Sequence, residues 1–307
     1  MEELIGRFLD GLEGSRGFSP NTVSAYRNDL GQFCEFLQTG NSIASWPELS
    51  ATHLTGFVLF LRERDYANST VARKVAAVRS FCHFLIAEGL LRHDPSDSLP
   101  SPRVDKFVPR AISRHEIEAL LSQASGLRTP EGIRDLAMLQ TLYSTGMRVS
   151  ELTSLDMSDI DLTESELCCG RKPDRSRTVP LTDGATAALS AYFDTARPLL
   201  RQDADENAVF LNHRGSRLTR QGFWLILKAH AEAANIPDIT PHTIRHTFAA
   251  HALNDGQELR DIQRILGHMS ISTTQVYQRV TTDGVTALEV PVLVANGASC
   301  YDSTGEQ

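Results

Sequence analysis

The sequence predicts a mainly α-helical chain in two domains, with a small β-sheet inside the second. Three observations carry that prediction. Apolar residues recur at three- and four-residue spacing through most of the chain. A proline-dense stretch, "RHDPSDSLPSPRVDKFVPR" at 92–110, interrupts the helical pattern about a third of the way along. Between 157 and 181 the period shifts, and "DIDLTESELCCGRKPDRSRTVPL" reads as short strands joined by a polar turn. The 307 residues suffice for two domains, each with its own core.

The elements follow in order. "MEELIGRFLDGLEG" is acidic and amphipathic, without the basic start and apolar block of a secretory signal. In "SPNTVSAYRNDLGQFCEFL", Ser19 is placed to cap a helix and Pro20 to begin it; Val23, Tyr26, Leu30, Phe33 and Leu37 then repeat at helical spacing. "SATHLTGFVLFLRERDYA" is a third helical segment. A fourth, "NSTVARKVAAVRSFCHFLIAEG", has Asn68 as its expected cap, Val71, Val75, Val78, Cys82 and Leu85 on one stripe, and Gly89 as its stop. These form a small helical bundle over residues 1–91, with 92–109 as the Pro-rich linker. The second domain spans 110–280. Ser113 and Glu116 make a capping box, "EGIRDLAMLQTLYSTG" is an apolar helix ended by Gly146, and "RVSELTSL" is a short helix starting at Arg148. After the strands, helices are expected near 183–200, 219–234, 241–254, 258–266 and 272–277. The tail, 281–307, lacks helical periodicity; Leu288–Val294 has the composition of a strand, and the end is expected to be disordered or to contact another subunit.

Composition narrows the function. The chain is 41% hydrophobic and 22% charged, ordinary for a globular protein. No run approaches the roughly 18 apolar residues of a membrane span, so no membrane partner and a cytoplasmic location are expected. The five cysteines, Cys34, Cys82, Cys168, Cys169 and Cys300, have no paired spacing, and thiols are expected rather than a disulfide framework or zinc module. The net charge of −8 counts against a nucleic-acid partner. Local clusters count the other way: "RKPDRSR" at 171–177 and "HRGSRLTR" at 213–220 are basic, and local potential matters more than the global sum.

The candidate chemistry begins in "DITPHTIRHTFAAHALNDG". Thr240 caps a helix and Pro241 opens it, so His242 lies in the first turn and shares a face with Arg245 and His246. Ile244, Phe248 and Ala252 fall on another face. First-turn amides and the helix dipole favour an anion and disfavour a charged imidazole, so His242 should be neutral. Histidines four apart match a zinc helix. Thr243, however, stands where such a helix carries its glutamate, and Arg245 between the rings would repel a cation. No metal and no cofactor are expected. Downstream, Gly267 is a natural C-cap holding His268 on the turn after it, and Tyr277 follows nine residues later. Upstream, "TGMRVSEL" sets Arg148 at a helix start, and the polar turn offers Lys172. Taken singly, each has an ordinary alternative: a core tyrosine, a capping arginine, a solvated lysine.

Together, in this order, "TGMRVSEL", "RSRTVPL", "PHTIRHTFA" and "LGHMSISTTQVY" resemble the motifs of the tyrosine recombinase (phage integrase) family, most closely its Xer type. The N-terminal segments resemble that family's SAM-like core-binding helices, and the likeness covers about residues 1–280 without an arm-binding domain. It implies a mainly α fold with a small sheet: a helical core-binding domain followed by a mixed α+β catalytic domain. Carried over by position, it implies Arg148, Lys172, His242, Arg245 and His268 as catalytic residues and Tyr277 as nucleophile. Here the hairpin departs from the family, because Arg171 and Pro173 replace glycines on both sides of Lys172; Arg175 is the alternative cation.

The residue types suit the chemistry so implied. Two arginines clamp the non-bridging oxygens of a phosphodiester. Tyr277 attacks phosphorus with His242 as base, giving a 3′-phosphotyrosyl link. Lys172 protonates the departing 5′ oxygen, and His268 bonds a phosphate oxygen or orients the others. Arg73, Lys74, Arg79, Arg171, Arg175, Arg177, Arg214, Arg217 and Arg220 are expected DNA contacts. The resemblance further implies double-stranded recombination sites as partners, a homo- or hetero-tetramer closing around DNA, a Holliday junction, and a DNA translocase as partner. The role is chromosome- or plasmid-dimer resolution, linked to chromosome partition and cell division, or integration of a mobile element. Two other readings stay open: a DNA-binding regulator with impaired catalysis, favoured by the altered hairpin, and an enzyme like a type IB topoisomerase.

Overall fold

The computed structural model describes residues 1–15, 18–40, 43–97, 99, 110–170, 176–203, 206–268 and 274–275. The chain divides into two compact units, Met1–Phe107 and Val108–Gln307.

The first unit is built from α1 (Glu2–Ser15), α2 (Pro20–Gly40), α3 (Ala51–Glu63) and α4 (Asn68–Ala87), with a 3₁₀ turn at Trp46–Glu48. Pro20 opens α2 as its spacing predicts, whereas α4 begins at Asn68 with Ala67 as its cap residue. The apolar stripes meet in an aromatic core. Phe33 and Phe57 lie 4.9 Å apart by ring centroid, and Trp46 meets Phe81 edge-on at 4.8 Å. Gly89 takes φ +73 just beyond α4, a left-handed turn that suits glycine. The chain then keeps packing on the bundle: Leu91 and Leu99 are buried, and Arg79 donates to the Leu99 carbonyl at 2.9 Å. Leu99, read from sequence as part of the linker, thus belongs to this core.

The second unit is organised around α6 (Pro130–Thr145), whose residues are buried along most of its length. Packed on it are α5 (Arg114–Ser125), α8 (Asp183–Ala191) and α11 (Pro241–Asn254). Strands β1 (Ile160–Asp161), β2 (Glu166–Cys169) and β3 (Arg177–Pro180) form an antiparallel sheet in that order, with Leu167 opposite Val179. Leu167, Cys169 and Val179 point into the core. Helices α7 (Val149–Ser154), α9 (Arg197–Leu200), α10 (Arg220–Ala233) and α12 (Leu259–Leu266) complete the unit. Cys34, Cys82 and Cys169 are buried free thiols.

The segment 183–200, which reads as one helix, contains a π-turn at Tyr192–Ala196. Pro198 explains it: proline has no N–H to give Asp194, and its ring crowds that carbonyl in a regular α-helix. The widened turn carries Tyr192, whose buried hydroxyl donates to the Val209 carbonyl at 3.1 Å and accepts from Leu211 N–H at 3.2 Å. Of the expected 272–277 helix, Thr274 and Gln275 are described and helical, while Leu288–Val294 lies outside the described residues.

Candidate active site

The site of the second unit forms where α6, α7, α11 and α12 end or begin. Gly146 closes α6 in the left-handed region at φ +57, and Arg148 caps α7 two residues on. Thr240 caps α11, its hydroxyl accepting from Thr243 N–H at 3.1 Å, with Pro241 first in the helix. Gly267 closes α12 at φ +61 and delivers His268.

Arg245 is 4% exposed and its guanidinium is fully engaged along one edge. It donates to the carbonyl of Gly146 at 2.7 Å and to that of Leu266 at 2.6 Å. It thereby satisfies carbonyls that two helix C-termini would otherwise leave open. The same guanidinium lies 2.9 Å from Nε2 of His268, and Nδ1 of that ring lies 2.9 Å from the buried Thr274 hydroxyl. Arginine only donates, so Nε2 accepts, and in the neutral ring the proton sits on Nδ1, facing Thr274. Burial first, then Arg245, Arg148 and Arg177, push the His268 pKa down to about 4. His242 is likewise lowered, by burial and then by Arg245, Arg220 and Arg148. His246 stacks on His242 with centroids 6.3 Å apart, and burial and then the charges of His242 and Arg245 take it to about 4. Neutral imidazoles beside fixed guanidinium groups can accept protons while the arginines hold an anion. Among the described residues no group of three or more His, Cys, Asp or Glu side chains is placed to hold a metal ion.

The Arg148 side chain is 43% exposed. Its N–H donates to Glu151 Oε2 at 2.7 Å, and its guanidinium reaches Glu151 Oε1 at 3.3 Å and the Gly267 carbonyl at 3.5 Å. Glu151 is a residue of the site that sequence reasoning did not single out. Its signal was present as the third helical position after Arg148, where glutamate closes a capping box. Burial raises the Glu151 pKa, but hydrogen bonds and charge from Arg177, then Arg148, outweigh it and leave the carboxyl below its ordinary value.

Arg148, His242, Arg245 and His268 are thus brought together; Lys172 and Tyr277 lie outside the described residues, as do Arg171 and Arg175. Several of the expected DNA contacts make bonds within the fold. Lys74 is 7% exposed and bonded at 2.9 Å to the buried Asp29, which Arg73 also pairs with. A carboxylate in the bundle core needs those cations, so Lys74 is spent on folding. Arg79 ties down Leu99. Arg217 pairs with Asp156 and donates to the Leu155 carbonyl at 2.9 Å. Arg177 pairs with Glu151 and the Ile265 carbonyl. Arg214 and Arg220 remain exposed, Arg220 near enough to His242 to depress its pKa.

Two family models match, "Phage integrase family" over residues 110–283 and "Phage integrase, N-terminal SAM-like domain" over 5–89. The chain belongs to the phage integrase family, among its Xer-type tyrosine recombinases. It is 49% identical to Tyrosine recombinase XerC of Roseiflexus sp. (strain RS-1), over 91% of this chain and 90% of that one. It is 42% identical to Tyrosine recombinase XerD of Listeria innocua serovar 6a, over 92% and 95%. Among solved structures it resembles XerA recombinase, at 29% identity and TM-score 0.52, over 91% of this chain and 94% of that one. It also resembles the Tn1549 transposon integrase complexed with a circular intermediate DNA, at 17% identity and TM-score 0.73, over 91% and 96%. The protein is therefore a DNA strand-transferring enzyme, a site-specific tyrosine recombinase. No helix among the described residues is long and apolar enough to cross a membrane.

Proposed function

We propose that this recombinase cuts and rejoins duplex DNA with Arg148 and Arg245 as its phosphate clamp and His242 as general base. One observation carries the assignment: two arginines and two neutral histidines converge from three chain segments onto one surface. Such a surface attracts a phosphodiester and stabilises the extra charge of its pentavalent transition state. Tyr277 is the nucleophile. Its oxygen forms a bond to phosphorus as the bond from phosphorus to the 5′ oxygen breaks, and Lys172 supplies that oxygen's proton. His268, fixed between Arg245 and Thr274, orients the Arg245 guanidinium for the phosphate. The link keeps the phosphodiester energy, so rejoining is the same step reversed.

The wider role follows the XerC and XerD relatives: a tetramer on two double-stranded sites, exchanging strands through a Holliday junction to resolve chromosome or plasmid dimers at cell division. That role places the enzyme in the cytoplasm with a DNA translocase as partner. A nicked suicide duplex followed by denaturing electrophoresis tests the chemistry. Wild-type protein should give a covalent adduct and Tyr277→Phe none; an adduct from the variant would reject the assignment of the nucleophile.

A further inference from the structure

Arg177 opens β3, just after the hairpin, where its charge reads as a DNA contact. Its side chain is turned inward instead, 10% exposed. NH1 and NH2 donate to the two oxygens of Glu151 at 3.0 and 3.1 Å, and Nε donates to the Ile265 carbonyl. The end of α12 is therefore held by three arginines in succession: Ile265 by Arg177, Leu266 by Arg245 and Gly267 by Arg148. Cations at a helix C-terminus meet both the open carbonyls and the dipole. Glycine at 267 gives the guanidinium room, since a Cβ there would stand 3.1 Å from Arg177 NH1.

The arrangement also divides a charge. Glu151 contacts Arg148 at 3.3 Å through the same Oε1 that Arg177 holds at 3.0 Å. Both carboxylate oxygens are already committed to the Arg177 fork, the stronger bidentate geometry. Arg148 thus keeps its positive charge largely for an incoming anion. Without Arg177, Glu151 would close on Arg148 and compete with the phosphate.

We propose that Arg177 is a positioning residue of the phosphate site. It fixes α7 against the end of α12 and keeps Glu151 from neutralising Arg148. The proposal rests on the strand-transfer reading above, in which Arg148 grips the scissile phosphate. The test is single-turnover cleavage of the suicide duplex at saturating protein, with DNA affinity measured by mobility shift at several salt concentrations. Arg177→Ala should lose cleavage rate by about 10²-fold, the scale of an ångström misplacement, and any loss of DNA affinity should be recovered when Glu151→Gln is added. Arg177→Ala combined with Glu151→Gln should cleave faster than Arg177→Ala alone, because glutamine keeps the cap and drops the competing charge. Arg177→Lys, which retains a cation but not the fork, should fall between wild type and alanine. If alanine prevents folding, judged by thermal melting, Arg177→Lys with and without Glu151→Gln carries the comparison. A weakened Kd with a salt slope reduced by about 1, left unrestored by Glu151→Gln, would make Arg177 a phosphate contact and overturn the proposal. So would a double variant no faster than the single one, or Arg177→Ala cleaving like wild type. Failure of the wild-type protein to form any adduct would instead overturn the strand-transfer reading beneath it.

Discussion

Arg245 shows how one side chain can serve fold and chemistry together. It is buried, joins the ends of α6 and α12 through two carbonyls, and aligns His268. Arg245→Ala would leave those carbonyls without donors. Thermal or urea unfolding should show a loss of about 2–4 kcal/mol, the cost of charged hydrogen bonds plus unsatisfied acceptors. The histidines set a pH dependence of definite sign. His246, His251 and His268 lie near 4 when folded, against 6.5 as the ordinary value, chiefly because burial disfavours their charged forms. Between those values the unfolded chain binds more protons than the folded one. Their contribution to stability is therefore complete above about pH 6.5 and is lost progressively as pH falls toward 4. Melting temperature measured across that window should drop on the acid side. His251→Gln should lessen the slope, since His251 is 2% exposed and meets the Tyr143 hydroxyl at 2.9 Å. A flat profile between pH 6.5 and 4 would refute the buried-neutral account.

At the level of elements, the caps were the most legible part of the chain. Ser113 with Glu116, Thr240 with Pro241, and the terminal glycines 146 and 267 all act where their spacing places them, because capping is decided within a few residues. Partners distant in sequence were not legible. Nothing near Lys74 announces that Asp29, 45 residues earlier, will claim it, nor does β3 reveal that Arg177 will reach 88 residues ahead to Ile265. Charge counting therefore marked Lys74 and Arg177 as DNA contacts, while the fold engages both in buried ion pairs. The π-turn at Tyr192 was obscured because the apolar pattern continues through it while Pro198 alters the hydrogen bonding. Gly146 gives this scale its test. A Cβ there would stand 2.3 Å from the Phe248 ring, in a conformation that L-residues avoid. Gly146→Ala should cost about 3 kcal/mol or more in denaturant unfolding and slow cleavage as well, since the Gly146 carbonyl anchors Arg245.

For the whole molecule, the decisive fact is that each unit has its own core. One cluster draws on residues from Ile5 to Leu99, the other on residues from Ile112 to Leu266, and no residue belongs to both. The boundary between Phe107 and Val108 falls between these sets. A chain cut there should yield two pieces that each fold, because neither loses a core residue to the other. Residues 1–107 and 108–307, expressed separately, should each show helical circular dichroism and a cooperative urea transition. Binding should respond differently from folding. If both units grip one DNA duplex, the linking chain makes the second contact intramolecular, and the intact protein should bind more tightly than either piece by about 10²–10⁴-fold. Each piece would retain a share of the salt dependence set by its own phosphate contacts. Mobility shifts of the intact chain, each piece and their equimolar mixture separate the outcomes. A mixture matching the intact chain would show that the covalent link adds nothing to affinity. A single piece matching it would confine DNA recognition to that unit.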